Sequence, residues 1–156
     1  MIMMSDYNNW KIKKAEDWKS SLKKRLVEYC RSLDIEYVGI APAEPYLDFE
    51  RIWLSQIRKG HMSGFEEKDA AKRVYPELTL PDARSVVVCL FPYYSGTADQ
   101  GNITKSAYSL DYHIIAREKL DMIARFLENC VDDFHYKAFV DNGPFSDRYL
   151  AYRAGL

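Results

Sequence analysis

The sequence predicts an α/β domain, with α+β as the variant of the same class: one compact unit with a small sheet, a central strand at 85–91 and helices flanking it. Three observations predict it. SVVVCLF at 85–91 is apolar on both alternating sets of positions, the pattern of a strand covered on both faces. Segments with apolar residues at helical spacing lie on either side of it in the chain. The order that results is helix, strand, helix, central strand, helix, strand, helix, which suits a sheet layered with helices. The 156 residues, 47% hydrophobic and 29% charged, are enough for one core. The domain is expected over 17–156, with 1–16 as a basic N-terminal extension.

Trp18, Leu22, Leu26, Cys30 and Leu33 recur at helical spacing, so the first helix is expected over 17–33, ended by Asp34. Tyr37, Val38 and Ile40 then supply β-formers for a strand at 35–41. Pro42 and Pro45 each remove a donor and restrict the residue before them, which makes 41–45 a loop. Phe49, Trp53 and Ile57 resume the helical period over 47–59, and Gly60 supplies the stop. The glycines of GHMSGF at 60–65 suit a loop that approaches a ligand closely or a plain connector. After the central strand, Pro92 opens a polar loop at 93–104 flanked by Tyr93, Tyr94 and Tyr108. Ala116, Leu120, Ile123, Leu127 and Cys130 repeat at alternating intervals of four and three and give a helix to about 129. A last strand at 136–140 halts at Asp141, Asn142-Gly143-Pro144 turn the chain, and a final helix begins.

Net charge of −1 and a pI near 6.3 argue against a protein that coats nucleic acid by bulk charge. A local basic run exists at 8–25, seven Lys and Arg against Glu16 and Asp17. It suits either contact with nucleic-acid phosphates or the solvated face of a helix. Cys30, Cys89 and Cys130 are far apart and show neither a disulfide framework nor metal-ligand spacing, as expected of buried thiols in a reducing cytosol. Met1 to Met4 are too short a run for a signal sequence, and no apolar stretch approaches membrane-spanning length, so a cytoplasmic protein is expected.

Asp141 is the candidate for chemistry. It sits where a strand ends and a helix-bound turn begins, and in open α/β sheets ligands sit beyond the carboxyl ends of strands. The same residue type beside Asn-Gly-Pro also makes ordinary turns and N-caps. Right-handed crossovers are expected to bring several strand ends to one edge, collecting Arg73, the 93–104 loop and Asp141.

Three segments carry a resemblance: VDNGPFSDRYLAYRAGL at 140–156, GHMSGFEEKDAAKRVYPELTLPDARSVV at 60–87, and KSAYSLDYH at 105–113. They resemble the VD-x-x-P/E-x-x-x-R…RAG, R-x-x-P-x-x-L-L-P-x-A-R/K-S and R-x-A-x-G-x-D-Y-H segments of the epoxyqueuosine reductases, cobalamin-dependent iron–sulfur enzymes of tRNA queuosine synthesis. Ser109 stands where that pattern has Gly, and Lys105 where it has Arg. The resemblance covers about 18–156. It implies that Asp141 is the proton donor to the epoxide oxygen, and that Arg73, Thr104, Asp141 and Arg148 contact the corrinoid. It also implies that a tRNA carrying epoxyqueuosine is the partner. His113, in the matching Asp-Tyr-His, is expected to serve the start of a helix rather than to ligate cobalt. The family continues beyond the RAGL position into a part with two runs of cysteines for 4Fe-4S clusters, which three scattered cysteines do not replace. The chain is therefore expected to belong to an oxidoreductase, and to be inactive alone without an iron–sulfur domain or subunit. A non-catalytic corrinoid- or tRNA-binding module and a corrinoid reductase with another substrate are the alternatives.

Overall fold

In the computed structural model, residues 1–5, 12–67, 69–92 and 111–156 are described, with 5 and 12–16 described through their backbone alone. The element order is β1 (Ile2–Ser5), α1 (Ile12–Ser32), β2 (Tyr37–Pro42), α2 (Leu47–Arg58), α3 (Ala70–Val74), a 3-10 turn (Pro76–Leu78), β3 (Ala83–Leu90), α4 (Tyr112–Glu128), β4 (His135–Ala138) and α5 (Asp147–Arg153). The strands form one sheet in the order β2-β3-β1-β4. β3 is interior, as its two-sided apolar pattern predicts.

Side chains alternate across the sheet with the period of two that a strand imposes. Met3, Val86 and Val88 face one side and meet Tyr46, Phe49, Trp53, Val74, Phe145 and Leu150 from α2, α3 and α5 with their flanking loops. Ile2 and Val87 face the other and meet Leu26 and Cys30 of α1 with Leu120, Ile123 and Leu127 of α4. Covering both faces buries an apolar set on each, and each fully buried large side chain contributes about 1.5–3 kcal/mol. α1 and α4 are also joined by Tyr29 stacked on Phe126 at 4.5 Å, and by Arg25, which lies over the Phe126 ring and donates to Cys130 Sγ at 3.3 Å. Cys30 is buried, while Cys89 and Cys130 are half-buried. A hydrogen bond to Cys89, with burial behind it, holds the Cys30 thiol well above its ordinary range.

Two expectations are corrected. The boundary at 17 leaves out β1, which pairs with both β3 and β4 and whose Ile2 and Met3 are fully buried. Four residues are too few to display a period, so Met1–Met4 read only as an apolar start. The arrangement by right-handed parallel crossovers is also overturned, because every neighbouring pair is antiparallel. β3 and β4 still run the same way through the strand between them. Their carboxyl ends therefore share one edge, together with the amino ends of β1 and β2.

Candidate functional site

Along β4 and its extension, Lys137, Phe139 and Asp141 alternate onto one face and border a cleft of about 830 Å³. The facing wall comes from the loop before α3, from α3 and from the 3-10 turn: Phe65, Glu66, Lys72, Arg73, Leu78 and Thr79. Lys137 Nζ donates to the Thr79 carbonyl at 2.6 Å and ties the two walls together.

Arg73 is the buried cation of this cleft. It is only 7% exposed, its guanidinium lies 4.0 Å over the Trp53 ring and 5.5 Å over Phe49, and its Nε has no hydrogen-bond partner among the described residues. Desolvation lowers its pKa from the ordinary value, while Glu66, Glu67 and Asp147 oppose that shift by charge. An unpaired N–H in a covered site is costly, and a ligand acceptor would satisfy it. On the same wall, Phe65 is 96% exposed next to Gly64 at φ 87°, an aromatic ring bordering the cleft with almost no protein covering it.

The carbonyl and amide flanking Asp141 close a three-residue turn, with Asn142 N–H donating to the Val140 carbonyl at 2.7 Å and Asp141 at φ 58° in its centre. Such a turn is rare and strained, and Asp is among the residues that tolerate positive φ. Gly143 follows because a Cβ there would stand 3.1 Å from the Phe139 side chain. Asp141 is not the cap of the next helix. Ser146 caps α5, accepting from Tyr149 N–H at 3.4 Å, which leaves the Asp141 carboxyl for other partners. Those partners come from the start of α4. The Tyr112 hydroxyl donates to Asp141 Oδ2, and His113 Nε2 stands 3.8 Å from the same oxygen. Asp111 caps α4 through His113 N–H at 3.0 Å and also takes His113 Nδ1 at 2.7 Å. The same two bonds hold the Asp111 carboxyl below its ordinary range.

The structure thus brings Arg73 and Asp141 to one cleft. Arg148 is exposed in the first turn of α5 and is not among the residues bordering that cleft. Thr104, with the rest of the 93–104 loop, lies outside the described residues. Sequence reasoning gave no role to Tyr112, Lys137 or Asp147. Lys137 carries the same period-two signal as Phe139 and Asp141. Asp147 has no local signal; it is placed by α5, where partial burial and the nearby Asp141 raise its pKa against the pull of the terminal ammonium and Arg73.

Fold and cleft together define a small α/β domain with one polar, aromatic-walled cleft at a sheet edge. Residues 73–142 match the family profile described as epoxyqueuosine reductase QueG, DUF1730. The epoxyqueuosine reductase of Bacillus subtilis is 36% identical over 144 residues, covering 86% of this chain and 37% of that protein; that of Staphylococcus aureus is 36% identical, with 86% and 38% covered. A crystal structure of a selenomethionine-labelled epoxyqueuosine reductase superposes with a TM-score of 0.78 at 34% identity, over 87% of this chain and 39% of that one. Another, of an epoxyqueuosine reductase with an epoxyqueuosine-modified tRNA stem loop, gives a TM-score of 0.76 at 36% identity, over 86% and 38%. Residues 73–142 thus carry the DUF1730 domain of the epoxyqueuosine reductases, and 86% of the chain is similar to members of that family. The chain spans less than two fifths of the length of these relatives.

Proposed function

We propose that this chain is the part of an epoxyqueuosine reductase that holds a cobalamin and delivers a proton to the epoxide oxygen of epoxyqueuosine in tRNA. The observation that carries the proposal is the cleft that Arg73 and Asp141 share, with an orphaned buried N–H on one wall and a carboxyl at the rim. The relative solved with a modified tRNA stem loop supports the substrate. A Bacillus subtilis relative, 34% identical, is described with an aspartate catalytic loop swung out of its active site, and the Asp141 turn is our counterpart of that loop.

The residues present fit a corrinoid. Its flat, amide-fringed ring needs apolar surface and donors at its rim; Phe65, Phe139 and Phe145 supply the first, and Arg73, Lys72 and the Asn142 amide supply the second. When bound, cobalamin supplies the strongly reducing centre at which the epoxide is opened. The chain's own share is to orient the substrate, to exclude water and to hold a proton on Asp141. A carboxyl of ordinary pKa, about 3.9, is ionised at neutral pH. The Asp141 side chain is 55% exposed in the open cleft, and covering a carboxyl favours its neutral, proton-donating form.

Removing the epoxide oxygen as water consumes two electrons and two protons. The electrons are assigned to 4Fe-4S clusters in an iron–sulfur domain or subunit that completes the enzyme, and the compartment is the cytoplasm. Among the described residues no helix is long and apolar enough to cross a membrane. The direct test is titration of the purified chain with cobalamin, followed by its visible spectrum and by calorimetry. Weak binding that is lost in Arg73→Ala is the expected result. Tight binding unchanged by Arg73→Ala overturns the assigned pocket.

A further inference from the structure

The start of α4 aims two side chains at Asp141, and the proton count of the reaction gives them a task. The first proton goes to the epoxide oxygen as one C–O bond breaks, and the second allows that oxygen to depart as water when the other C–O bond breaks. A single carboxyl holds one proton at a time, so Asp141 must be recharged between the two steps or between turnovers. Among the described residues, its nearest proton sources are the Tyr112 hydroxyl and the His113 imidazole, 3.8 Å away through Nε2. A phenol of ordinary pKa, about 10, gives up its proton far less readily than an imidazolium, at about 6.5.

We propose that His113, oriented by Asp111, returns a proton to Asp141 during the reaction. This rests on the donor role proposed for Asp141. Asp111 Oδ1 accepts from His113 Nδ1 at 2.7 Å, which fixes the proton of a neutral ring on Nδ1 and leaves Nε2 facing Asp141 Oδ2. The Tyr112 ring stacks on the imidazole at 4.0 Å between centroids and limits its rotation. In the recharging step the Nε2–H bond of the imidazolium breaks and an O–H bond forms on Asp141. The neutral ring then takes a proton from water, which reaches it because the side chain is 49% exposed. No electron moves in this step, and the electrons of the overall reaction come from the iron–sulfur donor. His113 acts through Asp141 and is a positioning and proton-returning residue, not one that touches substrate.

Two readouts separate this role from that of a helix-start residue. Long-range proton–nitrogen NMR spectra of this chain with 15N-labelled histidine report the tautomer without any activity. With His113 neutral, the expected form is Nδ1–H, reverting toward Nε2–H in Asp111→Asn; an Nε2–H ring in the unaltered chain overturns the proposal. The second readout is turnover by the chain joined to its iron–sulfur part. His113→Ala is expected to lower turnover about 10²-fold and to be rescued by added imidazole, while Asp141→Asn is not rescued. An inactive Asp141→Asn beside an unimpaired His113→Ala overturns the relay and leaves the donor reading standing; full activity of Asp141→Asn overturns both.

Discussion

Asp141 shows how much a single residue discloses and how much it withholds. Its type and its place at the end of an apolar run were legible in the sequence, but a cap and an acid at a site look alike there. The difference is made by Ser146, which caps α5, and by Tyr112, which comes from 29 residues earlier in the chain to meet the carboxyl. Arg73 was legible only through family resemblance, because its burial depends on Trp53 and Phe49 from another helix. Glu66 was not legible at all. Its carboxylate accepts from Ser63 Oγ, Ser63 N–H and Gly64 N–H, and these bonds hold its pKa at about 2, below the ordinary 4.5. A depressed folded-state pKa contributes order that is complete above the ordinary value and lost as pH falls through the depressed one. The loop before α3 is therefore expected to stay closed down to about pH 4.5 and to loosen progressively toward about pH 2. Hydrogen exchange at the Ser63 and Gly64 amides measures this. Glu66→Gln should show the loosened amides already at neutral pH.

At the scale of elements, period and punctuation did most of the work. α2 begins at Leu47 and ends at Arg58 with Gly60 just beyond it at φ 71°, as the Phe49, Trp53 and Ile57 spacing and the glycine stop predict. α4 starts behind an Asp111 cap and carries Ala116, Leu120, Ile123 and Leu127 into the core. The elements that escaped are the short ones, β1, α3 and the 3-10 turn, each five residues or fewer. A segment shorter than two helical turns or a few pleats shows no period, so only tertiary contacts identify it. One close approach between elements makes a prediction. A Cβ on Gly39 of β2 would stand 2.5 Å from the Ala154 carbonyl at the end of α5, where neither backbone can yield cheaply. Gly39→Ala is expected to lower stability by about 1–3 kcal/mol, an overpacking cost. Chemical denaturation measures it, and an unchanged midpoint contradicts the packing of β2 against α5.

At the scale of the molecule, the antiparallel sheet changed how the site is built without moving it from the sheet edge. Direction was illegible because it depends on which strands pair. The pairing partner that runs between β3 and β4 is the four-residue strand the sequence concealed. β1 places the ends of β3 and β4 on one side, and α4 then brings Tyr112 and His113 against the Asp141 turn. On another part of the surface, α1 exposes Lys19, Lys23 and Lys24, while Arg25 is engaged with Phe126 and Cys130. If these lysines meet tRNA phosphates, each contact releases counterions and steepens the fall of affinity with salt. Binding of a tRNA stem loop is expected to show a slope of log affinity against log salt shallower by about one to two in Lys23→Ala/Lys24→Ala. An unchanged slope assigns these residues to the solvated face of α1.

The central claim, that Asp141 delivers the proton, is tested most directly by Asp141→Asn in this chain joined to the proposed iron–sulfur part, with queuosine formation and melting temperature measured on the same sample. Asn accepts the φ of 58° as readily as Asp and keeps a hydrogen-bond acceptor for Tyr112, so the fold and cobalamin binding should be preserved. What Asn lacks is a transferable proton. The account predicts an unchanged melting temperature with turnover lowered by about 10²-fold or more; full turnover at an unchanged melting temperature would contradict it and leave Asp141 a residue of the turn.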